Sequence, residues 1–240
     1  MWMICKKEWV QFFSSLTGYI AIIIFLLLNG LFLFVFPDTS LLDFGYSSLN
    51  GFFDLAPWLL LFLVPTVTMR SLSDEYKAGT FELLKTLPLT SAQIIWGKFL
   101  GALFIIITAL LPTILYSISI QQLSSTGGID MGGTIGSYIG LVFLASVFTA
   151  VGICTSSFTN NTVVAFITGA FLCFILYSGF DAISKLPLFK GNLDYWIEML
   201  GINFHYKNIS RGVIDTRDVI YFAGVIVLFL LITQRNLVKK

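Results

Sequence analysis

Six apolar runs separated by polar intervals divide the chain. They cover approximately residues 18–36, 51–69, 98–120, 135–155, 162–180 and 218–234, the last being the shortest. A hydrocarbon core takes about 20 apolar residues per helix, so each run predicts one membrane-spanning helix. The runs are continuous and lack the period-two alternation of an outer-membrane barrel strand. The expected fold is all-α and integral to the membrane: a six-helix bundle forming one transmembrane domain over residues 1–240.

Two amphipathic segments extend this pattern. Before the first run, KKEWVQFFSS sets Trp9, Phe12 and Phe13 on one helical side, which predicts a short helix lying in the membrane interface; a frayed basic N-terminus is the alternative. Before the sixth run, Asn192 is placed to cap a helix LDYWIEML that stops at Gly201. Its Tyr195 and Trp196 suit the interface, where amphipathic rings concentrate.

Composition agrees with a membrane chain: of 240 residues, 57% are hydrophobic and only 11% charged, against about a quarter charged in soluble domains. A net charge of +1 supplies no basic field for nucleic acid. The start MWMICKKEWVQFF lacks the apolar core and small-residue cleavage site of a signal peptide. Cys5, Cys154 and Cys173 form no CxxC and read as buried structural thiols.

Basic residues orient the bundle. With the N-terminus inside, inner segments hold Lys6, Lys7, Arg70, Lys77, Lys85, Lys98, Arg235, Lys239 and Lys240. The first two outer loops hold none. The third holds five, from Lys185 to Arg217, a contrary contribution that leaves the balance at nine to five. Both termini are therefore expected in the cytoplasm.

On that topology the stretch EYKAGTFELLKTLPLTSAQIIWGKF (75–99) is the one sizeable cytoplasmic loop. Gly79 permits a tight turn. Thr80 is placed to cap a short helix, with Glu82 complementing its dipole. Phe81, Leu83, Leu84 and Leu87 supply apolar surface, and Pro88 ends the helix. Thr90 and Gln93 then have the spacing of a capping box, opening a helix that runs through Trp96 and Lys98 into the third span. The residues predict a rigid elbow wired into a membrane helix, although a solvated loop with chance capping signals fits them equally well.

The arrangement Glu75, Gly79-Thr80, Glu82, Leu83-Leu84, Pro88, then Gly97-Lys98 resembles the loop signature of type-2 ABC transporter permeases. The six spans, the interfacial N-terminal helix and the helical loop before the last span resemble the same family. Residues 204–222, FHYKNISRGVIDTRDVIYF, are similar to the corresponding region of permease subunits of gliding-motility-associated ABC transporters; permeases accompanying nitrous-oxide reductase maturation share a version of the G-V-I-D ending. The resemblance implies that Glu75, Gly79, Thr80, Phe81, Glu82, Leu83, Leu84 and Pro88 form an ATPase-coupling site, a helix seated in a cleft of the ATPase. It also implies two copies of a separate ATPase that binds ATP and Mg, a second permease copy or a related permease, an accessory membrane protein, and a bacterial inner membrane, with a role in motility or secretion.

No G-x-x-x-x-G-K-[ST] occurs, since Gly97-Lys98 is followed by Phe99, so ATP is expected to be hydrolysed in trans. No paired carboxylates, His cluster or nucleophile–base pair suggests an enzyme. A proton-coupled carrier is expected to hold several ionisable groups at mid-depth, and the runs show essentially none. Asp54, near an outer end, reads as a solvated carboxylate before a substrate contact. Asn29, mid-span, is expected to bond to another helix. His205 stands alone, and Asn208-Ile209-Ser210 matches a glycosylation sequon at a length where chance suffices. Gly132, Gly136 and Gly140 predict close helix packing, within the chain or across a dimer. Pro57, Pro65 and Pro112 predict bends in the second and third spans. The competing reading is a non-ATP scaffold or channel-like subunit of an envelope complex.

Overall fold

The computed structural model describes residues 1–36, 49–82, 88–123, 128–187 and 194–239. Helix α1 (Trp2–Phe13) precedes α2 (Leu16–Phe34). Helix α3 (Asn50–Thr68) is followed by α4 (Arg70–Lys77), and α5 (Ser91–Leu110) leads through a 3₁₀ turn (Leu111–Thr113) to α6 (Ile114–Leu123). Helix α7 (Met131–Phe158) precedes α8 (Thr162–Phe174), which a π-helical turn (Ile175–Gly179) joins to α9 (Phe180–Ser184). Helices α10 (Asp194–Met199), α11 (Ile202–Ser210) and α12 (Thr216–Lys239) complete the chain. Among the described residues, six helical stretches have the length and hydropathy to cross a membrane: Leu16–Phe34, Asn50–Lys77, Ser91–Leu123, Met131–Phe158, Thr162–Ser184 and Thr216–Val238.

The fourth span, α7, is the hub. Inside the fold 78% of its apolar window is buried, against 22% for the first, fifth and sixth spans. Small residues make this possible. A Cβ at Gly152 would collide with Thr68 Oγ1 of α3, and one at Gly136 would come 2.7 Å from Gly212 Cα. Gly140 lies under the Tyr206 ring of α11. The glycine series on this span thus serves packing within the chain at Gly136 and Gly140, while Gly132 faces the Asp130 cap.

Polar groups close the breaks in the spans. Between α3 and α4 the chain turns at Met69, and Ser156 of α7 bridges the gap. Its Oγ accepts from the amides of Leu72 (3.0 Å) and Ser73 (3.1 Å) and donates to the Met69 carbonyl (3.1 Å). Pro112 converts one turn of the third span to 3₁₀ geometry, and Tyr138 donates its hydroxyl to the Thr113 carbonyl there (2.9 Å). Pro57 and Pro65 lie inside α3 without ending it. Backbone groups freed within a membrane need such partners.

Two expectations need correction or addition. Asn29 does not reach across to another helix: its Nδ2 donates to Phe25 O one turn back (2.8 Å), and its buried Oδ1 has no partner among the described residues. The loop before the last span holds two helices, not one. Ile202, His205, Tyr206 and Ile209 form the buried face of the second. The expected cap Asn192 lies outside the described residues, as do Leu83, Leu84 and Leu87. The three cysteines are free thiols, buried as expected.

Candidate functional site

The elbow begins where α4 ends. Ala78 caps that helix, and Gly79 follows with φ of +67°, the left-handed region where a Cβ is costly. The Thr80 amide returns to the Glu75 carbonyl (3.0 Å) and the Gly79 amide to the Tyr76 carbonyl (3.2 Å). This pair of bonds is a Schellman closure, which satisfies carbonyls that the helix end leaves open. Thr80 thus closes the preceding helix, and its hydroxyl also lies on Glu75 O, at 3.4 Å. Helical geometry resumes at Phe81 and Glu82.

Phe81 turns inward. It is buried against Tyr76 (ring centroids 4.8 Å apart) in a cluster with Leu72, Ile95, Phe99 and Leu237. Those residues come from α4, α5 and α12. The ring therefore anchors the elbow to its own bundle and is not free to fill a partner's groove. Glu82, beside it, is exposed, as is Pro88. Downstream, the predicted capping box is present: Thr90 Oγ1 accepts from the Gln93 amide (3.3 Å), and Gln93 Oε1 accepts from the Thr90 amide (3.1 Å).

The carboxylate that heads the motif and the lysine that ends it meet. Lys98 Nζ donates to Glu75 Oε1 (3.0 Å), to Glu8 Oε1 of α1 (2.7 Å), and to the Ser71 carbonyl (2.6 Å). Those three acceptors use all three ammonium protons. The Lys98 side chain is 1% exposed, Glu75 10% and Glu8 14%. Lys7, half exposed, adds a second cation on Glu75 Oε1 (2.9 Å). Two ammoniums thus face two carboxylates, and the cluster is neutral. A buried charge is tolerable only when so paired and hydrogen-bonded. Glu75 Oε2 is buried without a hydrogen-bond partner among the described residues.

Glycines let α1 reach this cluster. A Cβ on Gly97 would come 2.9 Å from Ile4 Cβ and from Met1 O, and one on Gly101 would come 2.9 Å from Glu8 Cβ. Gly97 and Gly101 together form a notch on one side of α5, one turn apart, and α1 lies in it. The N-terminal helix is therefore seated on the third span through Ile4, Cys5 and Glu8, while Trp2, Met3 and Val10 stay exposed. Sequence reasoning included Gly97-Lys98 in the motif but missed the roles of Lys98, Glu8, Lys7 and Gly101. The available signal was the Gly-x-x-x-Gly spacing around a lysine.

At the opposite end, Asp54, Asp130, Lys207 and Arg211 border a cavity of about 550 Å³. Nearby, the lone histidine proves to be part of a buried pair. His205 Nδ1 lies 2.6 Å from Asp218 Oδ1, and its Nε2 lies 2.9 Å from the Met199 carbonyl. The ring stacks on Tyr221 at 3.9 Å. This pair fastens α11 to the last span; no cluster of metal-ligand type occurs among the described residues.

A family model described as ABC-2 family transporter protein matches residues 2–192. The match takes in α1, the ion cluster and the elbow, and ends before α10. No curated protein matches the chain.

Proposed function

The chain belongs to the ABC-2 family of transporter proteins, and from that premise we propose that it is a permease subunit which couples ATP hydrolysis in a separate ATPase to export, or to force applied across the membrane. Family members are membrane components of transporters and not themselves catalytic. In this reading the elbow at 79–88 meets the ATPase, two copies of which carry ATP and Mg. A second copy of the chain, or a related permease, completes the membrane core. Both termini face the cytoplasm at a bacterial inner membrane, with an accessory membrane protein and a role in gliding motility or secretion.

One observation carries the coupling role. The elbow turns at Gly79 and is closed by the Thr80 amide onto the backbone carbonyl of Glu75, while the side chain of that same Glu75 is tied to Lys98 of the third span and Lys7 of the N-terminal helix. A push on the elbow therefore reaches α4, α5 and α1 through one residue. Packed elements of this kind transmit discrete shifts better than continuous deformation.

Gly79→Val tests this. Valine at φ near +67° is strongly disfavoured, so the substitution re-aims the elbow without removing a side-chain contact. The expected result is loss of ATPase stimulation in the reconstituted complex, with normal insertion and amounts of the chain. Glu82→Lys should weaken ATPase binding through the exposed face. Full stimulation in both variants would remove the elbow from the mechanism and favour the scaffold reading.

A further inference from the structure

The surface between the first and second spans is open. Ile20, Ile24 and Leu28 of α2 face Leu59 and Phe62 of α3 across an apolar groove of about 380 Å³. At Thr17 and Thr66 the groove runs into a more polar cavity of about 200 Å³, bordered by Gln11, Ser15 and Arg70. From Thr17 to Leu28 the groove follows about 16 Å of helix axis at 1.5 Å per residue. That is half of a hydrocarbon core about 30 Å thick, the depth of one leaflet.

The polar end carries an unbalanced charge. Arg70 is exposed, donates from Nη1 to Thr17 Oγ1 (3.1 Å), and has no carboxylate within ion-pair distance among the described residues. Glu8 also borders this cavity, but its carboxylate is engaged by Lys98, inside a cluster that is already neutral. Arg70 therefore keeps most of its donor fork for an external anion, and a guanidinium matches phosphate oxygens two at a time.

We propose that this composite groove binds one anionic phospholipid, with an acyl chain between α2 and α3 and the phosphate on Arg70. Basic pockets between spans at the interface are suited to such headgroups. A second protein chain is the poorer occupant, because filling the apolar groove alone leaves Arg70 without a counter-charge.

Native mass spectrometry of the full chain, released from neutral detergent with added phosphatidylglycerol or phosphatidylcholine of identical acyl chains, tests the assignment. Phosphatidylglycerol should be retained about fivefold over phosphatidylcholine, the contribution of one arginine near an anionic headgroup. Arg70→Gln should erase that preference. Ala21→Trp, or Ile24→Trp if the first variant is unstable, should lower retention of both lipids by filling the groove. Arg235→Gln, away from the groove, should change nothing. Equal retention of the two lipids by the unmodified chain, or a preference that survives Arg70→Gln, would overturn the proposal. So would stabilisation by inorganic phosphate equal to that by phosphatidylglycerol, which assigns a free-anion site. Loss of self-association in Ala21→Trp with unchanged lipid retention would assign the groove to a second copy.

Discussion

Replacing Lys98 by methionine keeps the length of the side chain and removes its charge. The structure sets the size of the effect. Lys98 is 1% exposed and occupies the centre of three acceptors, so its loss leaves Glu8 without a cation and Glu75 with only the half-exposed Lys7, two carboxylates against one ammonium in a poorly solvated site. Breaking a buried pair in this way costs about 3–5 kcal/mol, most of it the penalty of the uncompensated partner. Lys7→Met removes a cation from the same oxygen of Glu75, but that side chain is 51% exposed, and such pairs contribute about 0–1 kcal/mol. Two lysines on one carboxylate should therefore differ severalfold in cost. Adding Glu75→Gln should partly rescue Lys98→Met, because it removes the excess negative charge and leaves one ammonium to one carboxylate; the two should be non-additive by about 0.5–3 kcal/mol. Unfolding of the purified chain in mixed micelles with rising denaturing detergent, followed by tryptophan fluorescence, measures all four variants. Equal costs for Lys98→Met and Lys7→Met, or strict additivity with Glu75→Gln, would refute the placement of Lys98 at the centre of a dry cluster.

Gly152→Ala should destabilise the chain by about 1–3 kcal/mol, the usual cost of overpacking, since its methyl meets Thr68; Gly224→Ala, with open space at its Cβ, should be neutral or stabilising in the same unfolding assay. Topology is open to thiol labelling without a cysteine-free background, because the native cysteines are buried and burial, helped by Glu8, pushes the Cys5 thiol up and keeps its reactive thiolate scarce. A membrane-impermeant reagent should modify Arg211→Cys on intact cells and Lys77→Cys only after permeabilisation; external labelling of Lys77→Cys would reverse the orientation and remove the elbow from the ATPase side.

The spans were legible because hydropathy over 20 residues is a strong, local signal, and the structure moves their ends by only a turn or two at most positions. Longer shifts occur where a polar helix continues a span, as at α4 and at the Ser91 start of α5. The two ends of the elbow were legible for the same local reason: Gly79, and Thr90 with Gln93, act on near neighbours in the chain. What failed was non-local. Lys98 at the end of an apolar run reads as a lysine reaching for water, and its partner Glu8 is 90 residues away. Phe81, placed between Thr80 and Glu82, reads as part of an exposed knob until α5 and α12 are known to cover it. The α11 helix was missed because His205 counts as polar in a pattern search, yet it faces inward onto Asp218. Gly136 was correctly read as a contact point, but only the fold names its partner, Gly212.

The notch at Gly97 and Gly101 also imposes an order on assembly. Helix α1 is made before the third span, whose surface it rests on, and the Glu8–Lys98 contact closes a separation of 90 residues. At about 5–20 residues per second of synthesis, the N-terminal helix exists for roughly 5–20 s before its seat is complete. During that interval its apolar side, with Trp2, Met3 and Val10, has lipid as its available support, and Glu8 has water as its solvent. The residues available to hold the nascent chain at the bilayer surface are the same ones that remain exposed in the finished protein. Docking of α1 becomes a late step, completed only when the third span arrives with both its notch and its lysine.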